Sequence, residues 1–233
     1  MLSDRLKSMW RGHRDNAAGA SPAPSGSHPV IPGLRHQNSG RASTRPSRGL
    51  EEFFAYIHGQ SGLTILDLGG ATQQNVTFIT DLGHRIYSEN FLQILNETFG
   101  ADGSAEQSNA GRIDYFLRQA LEYPEAHFDG VLIWDVLEYL EPALLLAVVE
   151  RLRKIVRRKS YMLAFFHSDH KLEAVPSYTF RIQQVNLLHV TEAGARQPAQ
   201  FFNNRSLEKL FGSFESVKFF LTREHLREVI IKV

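Results

Sequence analysis

Asp67, Gly69, Gly70 and Glu89 are the first residues whose types and spacing bear on chemistry. The first three lie in TILDLGGATQQNVTFI, residues 64–79, where an apolar run meets two glycines and the chain then turns helical. A glycine turn between a strand and a helix lets a ligand approach the backbone. An acid about 20 positions on, at the end of the next strand, suits ribose hydroxyls. Glu89 stands 20 residues after Gly69, with Asn90 beside it. That spacing fits a dinucleotide or another adenosine-bearing ligand. Asp67 separates the two, because a carboxylate two residues before the first glycine opposes a pyrophosphate and suits a cationic ammonium or sulfonium. A ligand without phosphates also dispenses with the later glycines of a dinucleotide loop, whose places Ala71 and Gln73 or Gln74 take.

Asp135 follows the apolar run Val131-Leu132-Ile133-Trp134 in FDGVLIWDVLEYL, residues 128–140, and His167 ends a second run, Tyr161 to Phe166. Such runs are expected of strands buried on both faces of a parallel sheet. Residues that end them reach the carboxyl rim where ligands bind. His167 is the candidate base for a substrate hydroxyl or amine; a strand-end histidine bonded to backbone is the alternative. His170 and Tyr139 are further candidates. Segment 171–205 is too long for a plain connection. Its Tyr178, Phe180, Arg181, His189, Arg196, Phe201 and Phe202 either roof a substrate pocket or form the core of an added hairpin.

Positioning these residues takes alternating strands and helices, and the patterning supplies them. Leu50, Phe53, Phe54 and Ile57 share a helical face. A strand at 64–68, a helix over 72–82, a strand at 84–88 and a helix over 91–99 follow. Residues 100–111 read as a loop and Ile113 to Leu117 as a short strand. Pro142 opens a helix with Leu145, Val148, Val149, Leu152 and Ile155 on one stripe. Six basic residues crowd 151–159, either a nucleic-acid patch or a complement to the helix dipole. A helix from Ser206 and two strands, FESVKFFL and LREVIIKV, close the chain. The order is that of an α/β sandwich on a mainly parallel sheet.

The 233 residues are 42% hydrophobic and 22% charged, ordinary for a soluble domain. There is no cysteine, which excludes disulfides, thiolate metal sites and cysteine nucleophiles. No apolar run approaches the ~20 residues of a membrane span, and MLSDRLKSMWRGHRD lacks a secretory signal's apolar core. A cytoplasmic protein is expected. Net charge is +1, but residues 1–48 hold eight Lys/Arg and two Asp/Glu while the rest is acidic. That Gly/Ser/Pro/Arg-rich segment is read as a disordered tail on a domain spanning 49–233. It is either a tether to nucleic acid or an anionic surface, or a solvated leader.

On ILDLGGAT, Glu89 and FDGVLIWDVLEYL, the chain resembles the class I S-adenosylmethionine-dependent methyltransferases over about 50–233. The resemblance implies a Rossmann-like three-layer sandwich with a mainly parallel seven-stranded sheet ending in an antiparallel strand pair. It implies S-adenosylmethionine as cofactor, held by Asp67, Gly69, Gly70, Ala71, Glu89, Asn90 and Asp135. Asp114 is the nearest acid to the place of an adenine contact. The implied reaction is in-line methyl transfer to a small molecule or a side chain, with 171–205 as a substrate-side insertion. Two features depart from the family: only Gly69 survives of its glycine pattern, and RRKSY (157–161) replaces a Pro-Gly-Gly-type turn. A non-catalytic descendant that binds the cofactor or a protein partner is the second reading, and a nucleotide-dependent oxidoreductase, opposed by Asp67, the third.

Overall fold

Side chains along the central strands alternate between two buried layers. Leu66, Val131, Ile133, Met162, Ala164 and Phe166 enter one core, and Ile65, Leu132, Trp134, Leu163 and Phe165 enter the other. This is why those strands read as unbroken apolar runs. The computed structural model describes residues 41–100, 106–169, 172–222 and 226–233. Its main sheet contains β2 (Thr64–Asp67), β3 (Arg85–Ser88), β4 (Phe128–Trp134), β5 (Val156–His167), β8 (Ser216–Leu221) and β9 (Leu226–Lys232). Their spatial order is β3-β2-β4-β5-β9-β8. The first four strands pair in parallel, and β9 runs antiparallel to both β5 and β8. The reversed final strand thus lies inside the sheet, as the resemblance implied.

Helices α3 (Phe91–Phe99), α4 (Ala110–Leu121), α5 (Pro142–Ile155) and α6 (Asn204–Leu210) cover the first face. The opposite face is covered by α1 (Arg48–Ile57), by α2 (Gln73–Asp81) and by a second sheet. That sheet joins β1 (Ala42–Pro46), β6 (Val175–Gln184) and β7 (Leu187–Arg196) in the order β1-β7-β6, all antiparallel. The long segment after β5 is therefore the added hairpin with β1 on its edge.

Two expectations need correction. Ile113 to Leu117 is part of α4, so six strands, not seven, form the main sheet among the described residues. Asn109 caps that helix through Arg112 N–H at 3.0 Å, and Phe116 packs edge-on against Phe91. Helical spacing of Phe116, Ala120 and Leu121 buries one face, which a five-residue window could not display. Second, the segment read as tail to residue 48 is ordered from β1 onward; residues 1–40 lie outside the described residues. Ser47 caps α1, accepting Leu50 N–H at 3.1 Å, and donates to the buried Glu228 at 3.0 Å. Gly49 N–H reaches the same carboxylate at 2.6 Å, and Arg45 lies 3.5 Å from its other oxygen. One buried acid on β9 therefore holds the entry to the domain.

In the basic cluster, Arg153 and Lys154 lie in the last turn of α5, where they complement its dipole. Arg151 donates to the carbonyls of Leu121 and Tyr123 at 2.9 Å, and Arg157 to Ala126 O at 2.8 Å. Residues 157–160 are looped out, since Phe128 faces Val156 while Gly130 already faces Tyr161. Lys159 adopts φ +67° in that loop, the conformation a glycine turn would have supplied. No helix of the described residues is long and apolar enough to cross a membrane.

Candidate active site

The turn after β2 is built around Asp67. Its carboxylate is 0% exposed and accepts Gly69 N–H at 2.9 Å, Trp134 Nε1–H at 2.6 Å and Asn75 Nδ2–H at 3.0 Å. Burial raises the pKa of Asp67, and the Trp134, Gly69 and Asn75 donors oppose that rise. With three donors and no exposed surface, this carboxylate shapes the loop from below. Trp134 ends β4 at φ +60° and stacks on Phe180 of β6 at 5.0 Å between centroids. A Cβ on Gly69 would lie 2.7 Å from Trp134 Cδ1, so glycine is required there by the indole. Asn75 also donates to Phe180 O at 3.1 Å and accepts Ile182 N–H at 2.8 Å. One asparagine thus ties the glycine turn to the second sheet.

Gly69, Gly70, Glu89 and Asn90 come together at the rim. Glu89 N–H donates to Asp67 O at 2.8 Å, Gly70 N–H to Glu89 O at 3.0 Å, and Gly69 bridges to Asn90. Gly70 takes φ +86°, open to glycine at little cost. Gly69 and Ala71 are exposed. Asn90 caps α3, accepting Gln93 N–H at 3.2 Å. The half-buried Glu89 carboxylate accepts the Tyr123 hydroxyl on one oxygen, and its other oxygen has no protein donor among the described residues. Burial and this bond push the Tyr123 hydroxyl above its ordinary range.

Asp135 stands apart from that rim in its bonding. It is 2% exposed, faces the Tyr178 backbone N–H, and leaves Oδ2 without a partner. Burial, then the neighbouring Glu138 charge, pushes its carboxyl up to about 7. His167 is 4% exposed and its Nδ1 meets Glu138, a side chain in place of the backbone partner considered above. Tyr139 lies beneath the Arg196 guanidinium, which is 5.3 Å from the ring centroid. Asp114 is exposed on α4, paired with Arg118 at 2.5 Å; His170 lies outside the described residues.

Trp134, Asn75, Tyr123 and Glu138 were not singled out by sequence reading. Glu138 had a usable signal, three residues after Asp135 in a segment able to form a helical turn. Trp134 had none, and Asn75 acquires its second set of partners, Phe180 and Ile182, from a strand more than 100 residues away.

No protein-family model and no curated protein sequence matches this chain. Solved structures resemble it in outline. A SAM-dependent methyltransferase from Archaeoglobus fulgidus aligns at TM-score 0.46 and 16% identity, over 79% of this chain and 91% of that one. One from Methanosarcina mazei aligns at 0.44 and 11%, over 77% and 96%. The Burkholderia thailandensis 1,6-didemethyltoxoflavin-N1-methyltransferase, solved with 1,6-didemethyltoxoflavin and S-adenosylhomocysteine, aligns at 0.41 and 14%, over 80% and 78%. Fold is read from the strand order above, and function has to be read from the residues.

Proposed function

We propose that the chain is a methyltransferase that binds S-adenosylmethionine over the Gly69–Gly70 turn and acts on a small molecule or a side chain. One observation carries this reading: both glycine amides of the turn are already bonded to protein acceptors. Gly69 N–H serves Asp67 and Gly70 N–H serves Glu89, so neither glycine is free to cradle a pyrophosphate. Glu89 keeps an oxygen for a ribose hydroxyl, while Tyr123 holds the carboxylate in place. Gly69 and Ala71 give the ligand exposed backbone to lie on. Asp67 acts through the loop, fixing it against Trp134.

Bound S-adenosylmethionine supplies an electrophilic methyl group on a sulfonium. The protein's share of such a transfer is orientation and exclusion of water. Glu89 orients the adenosyl end, and the Trp134–Phe180 stack walls the carboxyl end of β4 against solvent. Calorimetry with S-adenosylmethionine, S-adenosylhomocysteine and NADH tests the reading. Glu89→Ala removes a charged hydrogen bond worth ~1.5–3 kcal/mol, which lowers affinity for both cofactor forms about tenfold to a hundredfold. No binding of either form near millimolar concentration, or tighter binding of NADH, overturns it. Binding with no methyl transfer to any acceptor pool favours the non-catalytic descendant.

A further inference from the structure

Glu138 and His167 form a buried pair that cofactor binding does not use. The 3-10 turn Val136–Tyr139 after β4 brings Glu138 to the end of β5. Glu138 is 1% exposed and directs both carboxylate oxygens at one residue: Oε2 accepts His167 N–H at 3.0 Å, and Oε1 meets the ring at Nδ1. The turn is itself held by Ala199 N–H, which donates to Glu138 O at 2.9 Å. A carboxylate on Nδ1 places the ring proton there and leaves the lone pair on Nε2. That Nε2 is buried and has no hydrogen-bond partner among the described residues. The Tyr178 ring lies over the imidazole at 5.8 Å, nearly parallel. The bonding of the ring is one-sided: Nδ1 meets a carboxylate while Nε2 meets no donor or acceptor among the described residues. An imidazole with fixed tautomer, a carboxylate behind it and an unused lone pair is the arrangement of a general base.

We propose that His167 Nε2 takes a proton from the methyl acceptor and that Glu138 is its positioning residue, so the acceptor is an O–H or N–H nucleophile. This rests on the methyl-transfer reading above. The acceptor's O–H or N–H bond breaks, the proton moves to Nε2, and the bonding pair stays on the acceptor atom as the nucleophile. The imidazolium that results is matched by the Glu138 carboxylate. Asp135 from the same turn, the Tyr139 hydroxyl and the Tyr178 ring from β6 are the other titratable groups facing the pair. A thioether acceptor has no proton to lose and no need of such a base.

The test uses the full chain and does not depend on turnover. Nitrogen NMR of histidine-labelled protein at pH 8 reads the tautomer, and diethyl pyrocarbonate, followed by peptide mass spectrometry across pH 6–9, reads whether Nε2 is reachable and basic. His167 is expected with Nδ1 protonated and with its Nε2 acylated. Glu138→Gln is expected to slow that acylation about tenfold by removing the charge behind the ring, and Glu138→Asp to restore most of it. A proton on Nε2 overturns the proposal. So does a His167 that stays unmodified under conditions that acylate the exposed His58, or an acylation rate unchanged by Glu138→Gln. Calorimetry with S-adenosylhomocysteine separates the two readings: retained binding with an unreactive His167 removes the base alone, whereas no binding by the wild type removes the cofactor.

Discussion

Asp135→Asn isolates the cost of one buried acid. Burial raises its ionisation point from the ordinary 3.8 to about 7, with the Glu138 charge adding to the rise. A folded-state value above the unfolded one means that the native protein holds its proton more tightly. The stabilisation is therefore complete below pH 4 and is lost as pH rises through 7. Each pH unit between the two points is worth about 1.4 kcal/mol, so the ionised side chain lowers stability by roughly 4 kcal/mol at pH 8. At pH 5 the loss is only about 1.5 kcal/mol on the same arithmetic. Asparagine keeps an acceptor for the Tyr178 N–H and can donate toward Glu138, and it does not titrate. Urea unfolding of both proteins at pH 5 and pH 8 reads the difference. The variant should gain about 2.5 kcal/mol on the wild type between the two conditions, or very roughly 5–10 °C in Tm. Parallel pH profiles would show that Asp135 ionises in the ordinary carboxylate range. A variant that gains toward acid would reverse the sign and refute the linkage.

Other perturbations probe the scaffold. Asn75→Ala removes the shared partner of Asp67, Phe180 and Ile182, and should cost about 2–4 kcal/mol with faster amide exchange at Ile182. Unchanged exchange there would mean that the second sheet is held by apolar packing alone. A chain begun at Ser39 should keep the unfolding midpoint of the full chain. One begun at Gly49 should lose about 3–5 kcal/mol, because Glu228 stays buried without Arg45 and Ser47; equal midpoints would contradict the anchoring role. Lys159→Gly relieves a positive φ and should stabilise by up to about 1 kcal/mol in urea unfolding.

The three central strands of the main sheet were legible because they obey one local rule: apolar on both faces, with a polar residue at the carboxyl end. β2, β4 and β5 follow it through Asp67, Asp135 and His167. β1 broke no rule yet escaped notice. Ala42–Pro46 has a polar, Arg-containing sequence, and what orders it is a pairing with Thr191–Leu187 nearly 150 residues away. Composition reports the average ordering tendency of a segment, and an edge strand covered by distant partners falls outside that average.

Asp67 shows where spacing stops being informative. A carboxylate two residues before a glycine turn is consistent with a ligand cation and equally with a cap on the turn, and the same atoms serve either use. What decides is the set of donors that arrive from elsewhere. Trp134 comes from β4, 67 residues away, and Asn75 from the next helix, where nothing in the sequence marks it as a partner. Once they are in place the carboxylate is closed to solvent, whereas Glu89 keeps one oxygen without a protein donor among the described residues. His167 makes the complementary case. Its position at the end of the strand was legible, but Glu138 on Nδ1 and the unpartnered Nε2, on which the proposed base role rests, were not. In both places the residue type marks a site, and the partner's geometry decides whether that site faces the fold or the substrate.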